Sequence, residues 1–489
     1  MKKISREELQ RKLKVLNPHW ENSQVDDVIR KYKKRSYFDL LFPLVSKFSV
    51  NRAVILMGPR RVGKTVLLYQ IIEEFIRQGE DPKNFFYVSL DVPLLHGLSL
   101  DELIQLYLEI FPGKKIEGTV IIFDEVQYLG DWDIHLKVLV DHHPQTRFIA
   151  SGSAAAALKR KSRESGAGRF TDFMLPPLTF YEYLDLLDLR DVLLNDRGYG
   201  SPPEPKDIDG LNREFINYLN YGGFPEAIFN PDIQKAPDRY LRSDIIDKVL
   251  LRDLPSLYGI HDVQELNKLF GALAYQTGNE VTYESLSGSG IAKNTIKRYI
   301  DYLEAAFLIK TVKRIDDSGK MFQRTNYFKV YLTNPCMYSA LFDLVDPEDS
   351  QTLGNLVETA IFSQWLHSPE VTNRIHYARW NGGKGEVDIV FLNPQDKVAW
   401  CVEVKWSDRF VERPMDLKSL LYFCGEHGLK TALVTTKSKR KTENIGSGFK
   451  FEFVESAIYC YAVGRNSIYN KKTLDGPEEI LRAGDRITD

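Results

Sequence analysis

Short, almost uniformly apolar runs alternate with amphipathic stretches between residues 51 and 175. The runs are Ala53–Met57, Phe85–Leu90, Thr119–Phe123 and Arg147–Ala150. Runs of this length and composition are typical of strands that are buried on both faces of a parallel sheet. Because helical patterns separate them, the sequence predicts a three-layer α/β domain.

The pattern changes after this region. Residues 176–258 have helical periodicity, interrupted by a loop rich in Pro and Gly around 198–205. Residues 259–315 are again helical and become β-like near 307–315. Residues 353–436 predict the order helix, strand, strand, strand, helix, strand. The chain is therefore expected to be α/β throughout, with several domains.

Charge and cysteine usage narrow the class of protein. The 489 residues carry a net charge of −2, so contact with nucleic acid would have to come from local basic patches. The four cysteines lie in the last third of the chain without metal-ligand spacing, which suits a reducing compartment. The charged start has no apolar core of a signal peptide, and the apolar runs are strand-sized. We expect a soluble cytoplasmic protein.

A phosphate-binding motif follows the first predicted strand. Residues 58–65 read Gly-Pro-Arg-Arg-Val-Gly-Lys-Thr, which fits G-x-x-x-x-G-K-[ST], and the helix predicted over Thr65–Gln78 begins there. Lys64 is expected to neutralise the β- and γ-phosphates of ATP, and the Thr65 hydroxyl to bind Mg²⁺. The alternative is a Gly-rich turn before a helix that binds no phosphate. The expected ATP-binding residues are Gly58, Pro59, Arg60, Arg61, Val62, Gly63, Lys64, Thr65 and Val66.

Two carboxylates end the strand Thr119–Phe123. In a P-loop site, Asp124 would hold Mg²⁺ and Glu125 would act as the base that polarises the attacking water. Adjacent acids at a strand end are otherwise simply solvated charges. Since they follow a P-loop at this distance, we interpret Asp124 and Glu125 as the second half of the site.

Two further candidates lie beyond the next strand. A hydroxyl of Ser151 or Ser153 is placed to sense the γ-phosphate or the lytic water, although a plain turn explains the pattern nearly as well. Arg169 follows a Gly-rich segment and is a candidate for stabilising transition-state charge, in the same chain or in a neighbouring subunit. The alternative is that Arg169 is an ordinary surface arginine without a role in the site.

These motifs together resemble a known family. The segments that carry the resemblance occur in order as Gly58–Thr65, Asp124–Gln127, Ser151–Ser153, Gly168–Arg169, Leu175–Glu182 and Tyr221–Glu226. They look like the hallmark segments of prokaryotic AAA-type ATPases that carry a C-terminal domain of unknown function, and the resemblance covers about residues 45–465. It implies a P-loop domain followed by a helical lid, a winged helix and a restriction-endonuclease-like fold. It implies ATP binding and leaves the substrate open.

The resemblance and the pattern together predict six segments. They are an N-terminal helical segment (1–50), a P-loop ATPase domain (51–175), a helical lid (176–258), a winged helix-turn-helix (259–335), a restriction-endonuclease-like domain (336–465) and a polar tail (466–489).

A helix-turn-helix is predicted within the fourth segment. A short helix over Val281–Leu286 and a Gly-containing turn precede a second helix over Ala292–Ala306. This is the arrangement of a recognition helix for duplex DNA, although such a module also serves for packing against an ATPase lid. The polar residues expected to project from its first turns are Lys293, Asn294, Lys297 and Arg298.

A second cluster of carboxylates lies near the C-terminus. In the alternating run Val398–Trp406, Glu403 and Lys405 share one face, and Asp388 lies on the preceding strand. An Asp followed by Glu-x-Lys on the next strand is the signature of restriction-endonuclease-like phosphodiesterases. Glu358, on the preceding helix, would join Asp388 and Glu403 as metal ligands, and Lys405 would activate water. The alternative is an inactive nuclease fold kept as a scaffold.

These predictions combine into an ATP-hydrolysing switch that acts on DNA and cleaves nucleic acid with a metal ion. The rival hypothesis is a regulatory ATPase whose nucleotide state controls a partner-protein surface and whose C-terminal fold cuts nothing. A third is a transcription factor that uses only its winged helix. The expected cofactors are ATP and Mg²⁺, and the sequence leaves oligomerisation open.

Overall fold

The computed structural model describes residues 5–47, 50–153, 168–198, 202–288, 290–320, 326–446 and 448–473. The chain divides into two compact units, Met1–Pro176 and Pro177–Asp489. No helix in the described ranges is long and apolar enough to cross a membrane.

Unit 1 contains a five-stranded sheet with every neighbouring pair parallel. Its strands are β1 (Ala53–Gly58), β2 (Phe85–Ser89), β3 (Val120–Asp124), β4 (Arg147–Ser153) and β5 (Phe170–Met174), in the order β2-β3-β4-β1-β5. The first four are buried along their whole length, which confirms the predicted parallel sheet. The fifth was not predicted, because it lies at the sheet edge and its sequence, Phe-Thr-Asp-Phe-Met, is not an apolar run.

Helices flank this sheet. In the described residues of unit 1, the α-helices are Arg6–Leu16, His19–Asn22, Asp27–Lys31, Phe38–Ser46, Lys64–Arg77, Leu100–Ile110 and Trp132–His142, with 3₁₀ turns at Pro82–Asn84, Pro93–Leu95 and Val126–Tyr128. The N-terminal segment packs on the sheet, since Trp20 stacks on Phe86 and donates its indole N–H to the Phe85 carbonyl at 2.8 Å. Residues 5–47 therefore belong to the same compact unit as the P-loop.

Unit 2 contains a small pair, β6 (Leu194–Asn195) and β7 (Glu204–Pro205), and a nine-stranded sheet. The strands of the larger sheet are β8 (Glu280–Thr282), β9 (Ile309–Ile315), β10 (Tyr327–Leu332), β11 (Ile375–Trp380), β12 (Gly385–Leu392), β13 (Val398–Glu403), β14 (Thr431–Thr436), β15 (Lys441–Ile445) and β16 (Phe449–Glu455). Their order is β15-β16-β14-β13-β12-β11-β9-β10-β8.

Unit 2 is otherwise helical. Its α-helices are Phe180–Leu186, Arg190–Leu193, Ile208–Tyr221, Pro225–Phe229, Pro231–Lys235, Pro237–Leu241, Leu254–Tyr258, Val263–Tyr275, Tyr283–Ser287, Lys293–Ala305, Cys336–Phe342, Ser350–Trp365, Pro369–Thr372, Arg409–Glu412, Lys418–His427 and Ser456–Thr473. Two π-helical segments cover Arg242–Asp247 and Val249–Asp253, and 3₁₀ turns cover Asn381–Gly383 and Pro414–Asp416.

The large sheet crosses the predicted boundary between residues 335 and 336. Strand β9 pairs in parallel with β11, with Arg314 opposite Tyr377. The strands of the predicted winged helix therefore continue the sheet of the C-terminal segment. The order helix, strand, strand, strand, helix, strand predicted over 353–436 is confirmed for the longer elements, and short helices are added at Pro369–Thr372 and Arg409–Glu412.

Three predicted element bounds are corrected. Val281 lies in β8 and the short helix begins only at Tyr283, because the Thr282 hydroxyl caps it. Strand β13 ends at Glu403, so Lys405 follows the strand. The predicted polar tail begins inside a helix, since Ser456–Thr473 is helical and its first turns are buried.

Candidate functional site

The loop between β1 and the helix Lys64–Arg77 has the tight backbone that a phosphate cradle requires. Gly63 has φ +94° and forms the N-cap of the helix. A Cβ added to Gly58 would lie 2.3 Å from the Leu175 carbonyl oxygen, so only glycine fits there. The loop predicted from Gly58 to Thr65 is therefore held between a buried strand and a helix N-terminus, where backbone N–H groups favour phosphate.

A buried arginine braces this loop from the N-terminal segment. The Arg35 guanidinium donates to the Val62 carbonyl at 2.8 Å and to the Pro176 carbonyl at 3.0 Å. The sequence did not reveal this contact. Its two carbonyl partners are distant in sequence, so no local signal marked it.

Lys64 is folded back onto its own loop. Its buried ammonium donates to the carbonyls of Gly58 at 3.1 Å and Pro59 at 2.9 Å. These carbonyls compensate the charge of an otherwise buried cation. To reach the phosphates of ATP, the Lys64 side chain has to leave these two acceptors.

Three hydroxyl groups converge on the buried carboxylate of Asp124. Thr65 donates to Oδ2 at 2.7 Å, Tyr87 donates to the same oxygen at 2.8 Å, and Ser151 donates to Oδ1. The Glu125 backbone N–H also donates to Oδ1, at 3.0 Å. The two oxygens of Asp124 are thus fully oriented by residues from four separate segments.

Tyr87 was missed by the sequence analysis. It stands on β2, the neighbour of β3, and sequence alone does not give strand order. Burial and the nearby Asp124 carboxylate raise the pKa of Tyr87 well above its usual range. The hydroxyl therefore keeps its proton and acts as a donor to Asp124.

Glu125 leaves the strand in a left-handed conformation, with φ +55°. Its carboxylate accepts from the Gln127 amide, whose oxygen in turn accepts from the Ser153 N–H at 3.2 Å. Burial raises the pKa of Glu125, and the Lys64 ammonium opposes that shift. Gln127 thereby links Glu125 to the end of β4, while the buried Ser153 hydroxyl has no hydrogen-bond partner among the described residues. Of the two serines considered, Ser151 is the one that contacts Asp124.

Arg169 lies near the amino ends of the parallel strands, opposite the end where the phosphate loop lies. It precedes Phe170, which pairs with Ala53 at the start of β1, whereas the phosphate loop follows the end of that strand. The intervening strand spans about 16 Å at ~3.3 Å per residue. Arg169 also pairs with Asp141. This placement contradicts a role for Arg169 on the nucleotide of its own chain, and a role in a neighbouring subunit stays a prediction.

The predicted magnesium ligands of unit 1 fit a magnesium ion. Thr65 and Asp124 offer oxygen atoms 2.7 Å apart beside the phosphate loop. Hydroxyl and carboxylate oxygens together with phosphates are what Mg²⁺ prefers in such sites.

The C-terminal carboxylates also come together, but around two ammonium groups. Lys405 Nζ lies 2.8 Å from Glu403 Oε1 and 3.5 Å from Asp388 Oδ2. Lys329, from β10, lies 2.9 Å from Glu358 and 3.4 Å from Asp388. We call these five residues the carboxylate–lysine cluster. Glu403, Asp388, Glu358 and Lys405 were predicted to meet, and Lys329 was missed.

Burial dominates the proton affinities in this cluster. It raises the pKa of both Glu358 and Glu403 to about 7, and for Glu403 the nearby Asp388 carboxylate adds to the effect. Burial also opposes ionisation of Asp388, but Lys405 and Lys329 outweigh it and lower its pKa. The cluster therefore holds one firmly ionised carboxylate and two that titrate near neutrality.

A metal ion does not fit the cluster as the side chains stand. Among the described residues, no group of three or more His, Cys, Asp or Glu side chains has the arrangement to hold one. Glu358, Asp388 and Glu403 approach one another, but the lysines occupy the space between them. The predicted metal-binding arrangement is therefore not what the structure has.

The second helix of the predicted helix-turn-helix presents a polar surface. Asn294, Lys297 and Arg298 are exposed on the helix Lys293–Ala305, while Ile296 and Ile300 are buried. The Lys297 ammonium lies 5.1 Å from the centre of the Tyr283 ring. Lys293 is instead engaged with Glu284 and Asn326.

Comparisons with known proteins support the assignment of unit 1. Residues 50–184 match the model of an AAA domain, and residues 212–348 match a domain of unknown function, DUF8612. An uncharacterized protein of Methanocaldococcus jannaschii is 26% identical over 381 residues, which cover 74% of this chain and 78% of that protein. An uncharacterized protein of Haemophilus influenzae is 27% identical over 285 residues, covering 56% of this chain and 66% of its own.

Two solved structures share a remote likeness. Cdc6p from Pyrobaculum aerophilum has a TM-score of 0.28 at 18% identity, covering 65% of this chain and 98% of its own. The Hsp104–ADP complex of S. cerevisiae has a TM-score of 0.28 at 14% identity, covering 57% of this chain and 41% of its own. The matched AAA domain model and the five-stranded parallel sheet with its phosphate loop identify a P-loop ATPase domain of the AAA type within residues 50–184.

Proposed function

We propose that this protein hydrolyses ATP with Mg²⁺ at the site built around Asp124. The observation that carries the proposal is the convergence of Thr65, Tyr87 and Ser151 on this one carboxylate. Thr65 lies in the first turn of the helix Lys64–Arg77, so the contact joins the phosphate site to the end of β3. Such a link is what in-line attack on a metal-bound phosphate requires.

The roles follow from the positions of the side chains. Lys64 leaves the Gly58 and Pro59 carbonyls and donates to the β- and γ-phosphates, whose negative charge exceeds that of two carbonyl dipoles. Bound Mg²⁺ would neutralise phosphate charge, with Thr65 and Asp124 as its protein ligands.

Glu125 supplies the general base. Its raised pKa increases its affinity for the proton of the attacking water. Gln127 holds the carboxylate before reaction, and releasing that amide frees an oxygen for water.

The test is phosphate release by the full chain with Mg²⁺, together with binding of a fluorescent ATP analogue. Glu125→Gln should keep nucleotide binding and lose hydrolysis, because an amide takes up no proton. Lys64→Ala should lose binding. Hydrolysis by Glu125→Gln at the wild-type rate would remove Glu125 from catalysis.

DNA is the partner that we propose for unit 2. The exposed Asn294, Lys297 and Arg298 on one helix support it, because amide and cationic side chains at a helix start suit base edges and phosphates. Stimulation of ATP hydrolysis by duplex, branched or single-stranded DNA would support this proposal. An unchanged rate with each of them would favour the rival, an ATPase that controls a partner protein.

Cleavage of DNA or RNA at Asp388, Glu403 and Lys405 is the second candidate for unit 2. The observation in its favour is that these three residues meet, with Lys405 Nζ between the two carboxylates. The lysine-filled cluster speaks for the alternative of an inactive nuclease fold. The discriminating assay offers labelled linear, flapped and junction substrates with Mg²⁺ or Mn²⁺. Cutting that disappears in Glu403→Ala would establish the activity, and no cutting by wild type would favour the scaffold.

A further inference from the structure

Lys329 is the most deeply buried charge of the carboxylate–lysine cluster. Its side chain is only 2% exposed, and its ammonium lies 2.9 Å from Glu358 Oε1, 3.0 Å from Glu386 Oε1 and 3.4 Å from Asp388 Oδ1. The three carboxylates come from a helix and from β12. One ammonium therefore serves three carboxylates from two elements, which is more than an ordinary ion pair does.

The charges around Lys329 are arranged as they would be around a metal ion. Glu358 also accepts from the Tyr331 hydroxyl at 2.6 Å, and Asp388 accepts from the Val404 N–H at 2.9 Å. Both carboxylates are thus fixed by second contacts and aimed at the ammonium. Oriented carboxylates with supporting hydrogen bonds are the usual surroundings of a bound cation.

The Lys329 side chain is enclosed within unit 2, with only 2% of it exposed. It stands on β10, which pairs with β9 on one side and β8 on the other. Its ammonium lies 5.5 Å from the centre of the Tyr377 ring. A buried ammonium that left its three partners without reaching water would carry a large desolvation penalty.

We infer that Lys329 is the built-in cation of this cluster and takes the place that a divalent metal ion would have between Glu358 and Asp388. Mg²⁺ requires ligand oxygens at about 2.0–2.1 Å in octahedral geometry, and an ammonium among the same oxygens excludes it. The wild-type cluster is consequently closed to metal, and removing the Lys329 ammonium opens it. The inference does not depend on ATP hydrolysis in unit 1.

The experiment measures Mn²⁺ binding by the full chain, using electron paramagnetic resonance of free and bound Mn²⁺ without nucleotide. Every variant also carries Asp124→Asn, so that the site in unit 1 does not contribute. With Lys329 present, we expect no Mn²⁺ bound at the cluster. Lys329→Ala should bind about one Mn²⁺ per chain, and adding Asp388→Asn should abolish that binding.

A second measurement addresses unfolding of Lys329→Ala, because this substitution leaves buried carboxylates without a counter-charge. Lys329→Met keeps the length of the side chain, and the melting temperature of both variants is measured with and without Mn²⁺. Mn²⁺ should raise the melting temperature of both variants and should not change that of the protein that keeps Lys329. Arg465→Ala is the matched control, because it removes another buried cation, beside Asp196, and should gain nothing from Mn²⁺.

Three outcomes would overturn the inference. The first is Mn²⁺ binding with Lys329 present that disappears on Asp388→Asn. The second is folded Lys329→Ala and Lys329→Met that bind none. The third is failure of both variants to fold even with Mn²⁺, since the metal should then restore the missing charge. None of these results bears on ATP hydrolysis, which the phosphate-release assay tests separately.

Discussion

Replacing Tyr87 by Phe tests the convergence on Asp124 most directly. The substitution removes one hydroxyl and keeps the ring, which stacks near Tyr69 with the ring centres 4.5 Å apart. The ring keeps its volume, so any effect comes from the lost hydroxyl, which donates to Asp124 Oδ2 at 2.8 Å. Because Thr65 still donates to the same oxygen, the Asp124 carboxylate loses one hydrogen bond at Oδ2 and keeps the other.

The size of the effect follows from the charge of the acceptor. A hydrogen bond to an ionised group contributes about 1.5–3 kcal/mol, and the remaining donors to Asp124 point to the lower end of that range. If the bond acts in positioning Asp124 for hydrolysis, a loss of about 1.4 kcal/mol lowers the rate about tenfold. ATP affinity should change little, since the phosphates are held by the loop.

The assay is steady-state phosphate release over a series of Mg²⁺ concentrations, with binding of a fluorescent ATP analogue measured alongside. Tyr107→Phe is the matched control, because it removes another hydroxyl of unit 1, which donates to the Lys83 carbonyl at 2.6 Å, and should leave the rate unchanged. Wild-type rates for Tyr87→Phe at every Mg²⁺ concentration would refute the reasoning. An equal loss in Tyr107→Phe would show a general effect on packing in unit 1.

Three other predictions follow from described contacts. Gly58→Ala should displace the phosphate loop and weaken ATP binding, as seen by analogue fluorescence, because its Cβ would lie 2.3 Å from the Leu175 carbonyl oxygen. Lys297→Ala with Arg298→Ala should weaken duplex binding and reduce its salt slope by about two in fluorescence anisotropy; an unchanged slope would assign the helix to packing. Glu403→Gln should be more stable than wild type above pH 7. Folding raises the pKa of the Glu403 carboxyl from the ordinary 4.5 to about 7, so wild type loses stability as the pH rises from 4.5 to 7, and the amide of the variant does not. Urea unfolding should show little difference near pH 4 and a gain of up to about 3 kcal/mol near pH 8, and no gain would contradict the burial of this charge.

The sequence was most informative where the relevant residues are adjacent in the chain. The run from Gly58 to Thr65 predicted its own loop and helix, because a tight turn and a helix start depend on neighbouring residues. The pair Asp124 and Glu125 was found in the same way, by its place at the end of an apolar strand.

Residues that act through contacts distant in sequence were missed. Tyr87 reaches Asp124 only because β2 and β3 are neighbours, and Arg35 reaches the loop across 27 residues of chain. In the sequence, nothing distinguishes Lys329 from other charged residues of a strand such as Tyr327–Leu332. It meets Glu358 and Asp388 only through the order of the strands in the sheet. Arg169 was misplaced for the same reason: its sequence suggested a loop near the nucleotide, and the parallel pairing of β5 with β1 puts it at the other end of the strands.

The pairing of β9 with β11 has a practical consequence for anyone who dissects this chain. A fragment beginning at residue 336 would retain β11 to β16 but would present β11 as a bare edge, with its backbone donors and acceptors unpaired on the side where Arg314 and Ile315 belong. Exposed strand edges of this kind recruit other chains and aggregate. The same cut discards the ammonium that balances Glu358 and Asp388. Insolubility of such a fragment would therefore say nothing against the C-terminal segment as a folded module, and expression should begin ahead of β8.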